Sequence, residues 1–288
     1  RLPSGVQQWP KGPLPSAMCG RGCRFAKELR HSAAPGAMLV TVRTGLGEGG
    51  VILARTLTGH HSDTVEAIAF TQLRPDHSVD LPAYIGAAQS DTREHRLTIM
   101  GPTGDGGINP STRELIERLF GPQGVYPYLA DAFKPRSSLG YRVRSIDVPA
   151  SGSKRWARYQ TEHVKMTAIP VHHGDIPALA WRIEIDGRSI VITGSFNNSK
   201  NLAATFAKDA DALVVSHAIP ENSRGVLRDL YARPSQLGRV ANQADARMMI
   251  LGHRNVRTRG RESLSRNAIE ENYDGTILFA NDGECWGL

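Results

Sequence analysis

Cysteine, aromatic residues and long apolar runs are all scarce in this chain, and each scarcity narrows what it can be. Only three cysteines occur in 288 residues, Cys19, Cys23 and Cys285. No pair has the two-residue spacing of a zinc knuckle, and Cys19 and Cys23 lack a second pair to complete a metal module. A local bridge between Cys19 and Cys23 in an oxidising compartment would leave one thiol over, and three unlinked, half-buried thiols fit the sequence equally well. No apolar run approaches the roughly 20 residues of a membrane-spanning helix, so a soluble chain is expected. The first residue is Arg1 rather than Met, which leads us to expect a processed or omitted start segment, an export signal included.

Aromatics make up 6% of the residues. The short basic clusters Arg21, Arg24, Lys27, Arg30 and Arg254, Arg257, Arg259, Arg261 are not interleaved with them, as a single-strand nucleic-acid surface would require. A net charge of +7 makes acidic partners such as phosphate esters or nucleic acid conceivable. The basic residues are nevertheless scattered. A solvated basic face is the reading they favour, and nucleic acid is not the expected partner.

Two familiar catalytic devices are also missing. The glycine-dense turn Gly45–Gly50 lacks the lysine and hydroxyl residue of a phosphate loop, and reads as a hairpin turn between the strands Met38–Val42 and Val51–Leu53. Ser62 and Ser195 lie near histidines, but neither sits in a Gly-x-Ser-x-Gly elbow, and Cys19 and Cys23 have no base partner.

What is present is alternation of strand and helix signals. Residues 1–17 are rich in Pro and Gly without periodicity and read as an irregular N-terminal segment. Thr64–Phe70 reads as the opening of a helix, followed by a polar loop. Leu97–Met100 reads as a strand, and Ser111 with Glu114 forms a capping box before a helix ending at Phe120. Tyr126–Phe133 reads as a short helix, and Tyr141–Val148, Arg158–Thr161 and Met166–Val171 as strands. A hairpin follows, Ala180–Ile185 and Ser189–Thr193 about the turn Asp186-Gly187. Leu202–Phe206 and Ser235–Ala244 read as helices, and Ala212–Val215, Met248–Leu251 and Thr276–Ala280 as strands. Both halves mix strands and helices in similar order with no linker between them, so one domain over 1–288 is expected, an α/β fold of four layers.

The chemistry concentrates where strands end. Thr58-Gly59-His60-His61-Ser62-Asp63-Thr64 follows an apolar strand and packs two imidazoles and a carboxylate into four residues, a ligand mixture suited to zinc. His172, His173 and Asp175 follow the strand ending at Val171, Ser195 follows the hairpin, His217 follows Val215, and His253 follows Leu251. Groups at neighbouring strand ends can line one cleft.

At these residues the chain resembles the metallo-β-lactamase superfamily, nearest to its tRNase Z, arylsulfatase-like and lactonase-like branch. The segment Thr58–Thr64 is similar to the family's Thr-His-x-His-Ser-Asp-His turn. Val171-His172-His173-Gly174, the hairpin Trp181–Gly194 and Leu251-Gly252-His253-Arg254 are similar to later family motifs. The resemblance implies a four-layered αββα sandwich and a hydrolase of ester, amide, lactone or phosphodiester bonds that uses two metal ions, usually zinc.

Carried over residue by residue, the ligand positions match at His61, Asp63, His173 and His253 and depart at Gly59, Thr64 and Ser195. One metal position keeps His61 and His173, the other Asp63 and His253. A catalytic zinc site has three protein ligands, so at most one ion is expected, with His60, His172, Asp175 or His217 as substitutes that otherwise read as exposed or hydrogen-bonded polar groups. Asp63 would orient or deprotonate the attacking water. The expected activity is therefore a divergent hydrolase acting on a small ester-like or phosphodiester-like substrate. A metal-free pseudoenzyme that binds a small molecule or a partner protein in the same cleft is the alternative. No basic or Gly-Pro-rich arm insertion supports RNA processing.

Overall fold

The structure is a computed structural model that describes residues 65, 67–89, 95–135, 140–162, 164–185, 187–281 and 286. Every element named below falls in the unit Met38–Gly283. The expected strands Met38–Val42 and Val51–Leu53, the turn 58–64 and all three cysteines lie outside the described residues.

Two sheets carry the fold. The smaller is parallel, in the order β1 (Ala67–Ala69), β2 (Leu97–Pro102), β3 (Val143–Val148). The larger has seven strands in the order β10-β9-β8-β7-β6-β5-β4. Its strands are β4 (Trp156–Gln160), β5 (Val164–Val171), β6 (Ala178–Ile185), β7 (Arg188–Ile192), β8 (Ala212–Ser216), β9 (Met248–Gly252) and β10 (Thr276–Phe279). Pairing is antiparallel from β4 to β7 and parallel from β7 to β10. The hairpin turn carries Gly187 at φ +74, the left-handed conformation such a turn requires.

Between the sheets, Met100 and Val148 of the small sheet pack with Trp156, Leu179 and Trp181 of the large one. The outer face of the small sheet is covered by α2 (Leu81–Ala88), α3 (Thr112–Phe120) and the 3-10 turn Pro127–Phe133, through Ile85, Ile116, Phe120 and Leu129. The other face of the large sheet is covered by α4 (Leu202–Phe206), α5 (Pro234–Gln243) and α6 (Glu262–Glu270), through Phe206, Leu237, Val240 and Ile269. Burying each such side chain contributes roughly 1.5–3 kcal/mol. The result is helix, sheet, sheet, helix, the αββα sandwich expected from the sequence.

Two expectations change. The stretch ending at Phe70 is strand β1, not a helix: Ala67, Ile68 and Ala69 pair in parallel with Thr98, Ile99 and Met100. A short apolar run has no period of its own, and the ladder decided it. The loop expected after Phe70 instead holds α1 (Pro75–Ser78) and α2, each with a proline in its first turn, where no amide hydrogen bond is lost. The capping box of α3 is present, with Ser111 Oγ accepting from the Glu114 amide at 3.2 Å and Glu114 Oε2 accepting from the Ser111 amide at 2.6 Å.

Candidate metal centre

The site grows from the chain that leaves β1. The Phe70 amide still pairs with the Met100 carbonyl at 2.7 Å, and the Phe70 carbonyl accepts from Trp181 Nε1 at 2.9 Å. One residue on, the Thr71 carbonyl accepts from the Leu179 amide at 2.8 Å. These bonds tie the first residues of the turn to the large sheet. Gly194, at φ +60, lies so close that a Cβ there would be 2.6 Å from Thr71 Cβ. Pro75 then opens α1, and Ser78 Oγ donates to the Leu73 carbonyl at 3.1 Å, closing the turn on itself.

That turn presents Asp76 and His77. His253 reaches them from the end of β9, where its own φ of +54 turns the chain out of the strand. The three side chains each bring one ligand atom to within 4.8 Å of one another, and no other such group of His, Cys, Asp or Glu occurs among the described residues. Asp76 Oδ2 stands 3.6 Å from His77 Nε2 and 3.8 Å from His253 Nε2, and the two rings are 5.2 Å apart. A carboxylate and two imidazoles, leaving an open position, are a donor set that suits zinc or a similar borderline ion.

Burial tunes His77. It lowers the pKa of His77 to about 4, with the Asp76 charge opposing and His253, His173 and Arg74 reinforcing. His77 is therefore neutral, as a metal ligand must be. Its Nδ1 lies 3.3 Å from Thr71 Oγ1, and its Nε2 lies 2.7 Å from Nε2 of the buried Gln72.

His173 lies beside this group and outside the 4.8 Å triad. It is fully buried, with its ring edge against Tyr231 at 5.1 Å, and Tyr231 is 6.4 Å from His253. Nδ1 donates to the Leu230 carbonyl at 2.6 Å, so Nε2 carries the lone pair, and that buried nitrogen has no hydrogen-bond partner. Burial lowers the His173 pKa; the Leu230 bond opposes that shift and the Arg74 charge adds to it. Arg74 is half-exposed, 3.7 Å from the Asp76 carboxylate. Beyond His253 runs a loop on which Arg257, Arg259 and Arg261 are exposed, and the Arg257 charge is felt at the Tyr231 hydroxyl.

Several expected site residues go elsewhere. His60, His61 and Asp63 lie outside the described residues. His172 and Asp175 are exposed beside buried His173, because the chain alternates as it leaves β5. His217 is consumed by packing: Nε2 bonds Ser265 Oγ at 2.8 Å and its ring lies 5.5 Å from Phe279. None of these three joins the triad. Ser195 is buried and shares a 3.4 Å hydrogen bond with Ser216.

Asp76 and His77 were missed from sequence, although a signal existed. Thr71-Gln72-Leu73-Arg74-Pro75-Asp76-His77 fits the spacing of Thr-His-x-His-Ser-Asp-His at its threonine, aspartate and final histidine. Gln72 and Arg74 stand where that pattern has histidines, and the doublet His60-His61 drew the sequence reading to the turn 58–64, which lies outside the described residues.

No protein-family model matches the chain. It is 24% identical over 249 residues to a ribonuclease Z of Haloferax volcanii, covering 76% of this chain and 78% of that one. A ribonuclease Z of Pediococcus pentosaceus is 24% identical over 252 residues, covering 75% and 77%. Among solved structures, human tRNase Z, short form, superposes with a TM-score of 0.59 at 15% identity over 81% of this chain and 83% of that one. The metallo-β-lactamase fold protein YhfI of Bacillus subtilis gives 0.58 at 16% identity over 81% of both.

Proposed function

We propose that this chain, a member of the metallo-β-lactamase superfamily, is a phosphodiester hydrolase that works with a single divalent metal ion and acts on RNA or a related nucleic acid. The carrying observation is the convergence of Asp76, His77 and His253 within 4.8 Å. The similarity to two ribonucleases Z supports the substrate class and revises the sequence-based expectation against nucleic acid.

Asp76, His77 and His253 would hold the ion, which when bound supplies Lewis-acid activation of a phosphodiester oxygen. A second ion does not fit, because an amide and a permanent cation, Gln72 and Arg74, occupy the two positions that would have to ligate it. With that position gone, His173 is left to act on protons. Its neutral Nε2, oriented by the Leu230 carbonyl, takes the proton from the attacking water. Arg257, Arg259 and Arg261, exposed on the loop that follows His253, would hold the nucleic-acid backbone through charge alone.

Hydrolysis of bis(p-nitrophenyl) phosphate and of a short RNA by the wild type, Asp76→Asn and His253→Ala, each with its zinc content, tests this reading. Activity and zinc should fall together in both variants. Trace activity unchanged by either substitution would instead leave a binding site without catalysis.

A further inference from the structure

Arg74 is the residue that the metal reading leaves unexplained. It sits on the same turn as Asp76 and His77, two residues from the former, with its Nε 3.7 Å from the Asp76 carboxylate. That separation is an ion pair without a hydrogen bond, and among the described residues no other side chain engages the guanidinium. The guanidinium is half-exposed, and its N–H donors are left to a group from outside the chain. Their charge is felt at three site residues on three separate segments: His77, His173 and Tyr231.

A permanent cation 3.7 Å from the Asp76 carboxylate, whose charge also reaches His77, opposes the binding of a dication there. Structural economy would remove it, unless it binds something the site needs. Charge counting indicates what. One divalent ion with one carboxylate leaves the cleft with a single positive charge, enough to balance a phosphodiester but not the additional negative charge that develops on it during hydrolysis. The guanidinium supplies that second charge, in a planar fork that matches two phosphate oxygens.

We propose that Arg74 is an anion-binding residue that takes the place of a second metal ion, gripping the phosphate of the substrate opposite the ion held by Asp76, His77 and His253. This rests on the metal reading above for the ion and on the Arg74 geometry for the anion. The two groups trade off: Arg74 weakens ion binding by repulsion and strengthens phosphate binding by attraction. A residue with a merely structural role would move both in one direction.

The test titrates zinc into metal-free protein in phosphate-free buffer, and separately titrates inorganic phosphate into protein dialysed against zinc, for wild type, Arg74→Ala and Arg74→Lys. Arg74→Ala should bind zinc severalfold more tightly and phosphate about tenfold or more weakly, the scale of a lost charge-assisted hydrogen bond. Arg74→Lys should keep wild-type zinc affinity and recover part of the phosphate affinity, since it keeps the charge and loses the fork. Phosphate affinity unchanged in Arg74→Ala, or zinc and phosphate affinities falling together, overturns the proposal. Should the wild type take up no zinc, the metal reading fails by itself, and the phosphate difference between wild type and Arg74→Ala still decides the role of Arg74.

Discussion

His173 donates its Nδ1 proton to the carbonyl oxygen of Leu230 across 2.6 Å, and this bond fixes what the opposite nitrogen can do. With Nδ1 committed, Nε2 holds a lone pair in a buried position where no protein donor meets it. Burial and the nearby Arg74 charge keep the ring neutral. A buried acceptor left unsatisfied costs about 1–3 kcal/mol, a cost that a water or substrate group donating to it would offset.

Replacing His173 by Ala should therefore lower the rate of phosphodiester hydrolysis by about 100-fold or more, the usual contribution of a positioned base. Zinc content should stay at the wild-type level, because the triad does not include this residue. Steady-state kinetics and metal analysis on the same preparations check both halves. Loss of zinc in the variant would make His173 a ligand instead.

Gly194 supports the site from below. Its φ of +60 and the 2.6 Å gap from a notional Cβ to Thr71 Cβ leave no room for a methyl group. Gly194→Ala should destabilise the fold by about 1–3 kcal/mol, the range for a strained left-handed residue, as read by urea denaturation. Zinc affinity should fall too, because Thr71 lies 3.3 Å from His77 Nδ1 and would be pushed aside.

Most of the architecture was legible because it depends on local chemistry that the sequence spells out. The Asp186-Gly187 turn fixed the β6–β7 hairpin, and Ser111 with Glu114 fixed the start of α3. β1 was misread because three apolar residues look alike in a helix and in a strand, and only the partner strand β2 distinguishes them. The site was half legible. His173 and His253 stand out at strand ends. Asp76 and His77 were hidden because Gln72 and Arg74 stand where the family's pattern has histidines. His217 misled for the opposite reason: it follows a strand as a ligand would, yet its ring is held by Ser265 and Phe279, contacts between segments far apart in the chain.

His217 should show itself in the pH dependence of stability. Burial lowers its pKa from the ordinary 6.5 to about 4, with Glu262 opposing and Arg254 reinforcing. The unfolded chain therefore takes up a proton near pH 6.5, well before the native one does. The stability contributed by the neutral ring is complete above pH 6.5 and is lost as pH falls toward 4, by up to about 3 kcal/mol. Urea midpoints measured from pH 7 to pH 4 should fall steeply in the wild type and less steeply in His217→Gln. Parallel profiles would contradict this assignment.

The exposed arginines after His253 should act through charge. RNA affinity measured against salt concentration should fall log-linearly, and the combined substitution of Arg257, Arg259 and Arg261 by Ala should reduce the slope by about 2, as expected for three lost phosphate contacts to a single strand. The fold should be unaffected, since all three side chains are exposed.

Zinc content per chain, measured by mass spectrometry after exhaustive dialysis of wild type, Asp76→Asn and His253→Ala, tests most directly whether Asp76, His77 and His253 hold one ion. About one zinc per wild-type chain, with little in either variant, is the expected result. No zinc in the wild type, two zinc ions per chain, or one zinc that survives both substitutions would contradict it.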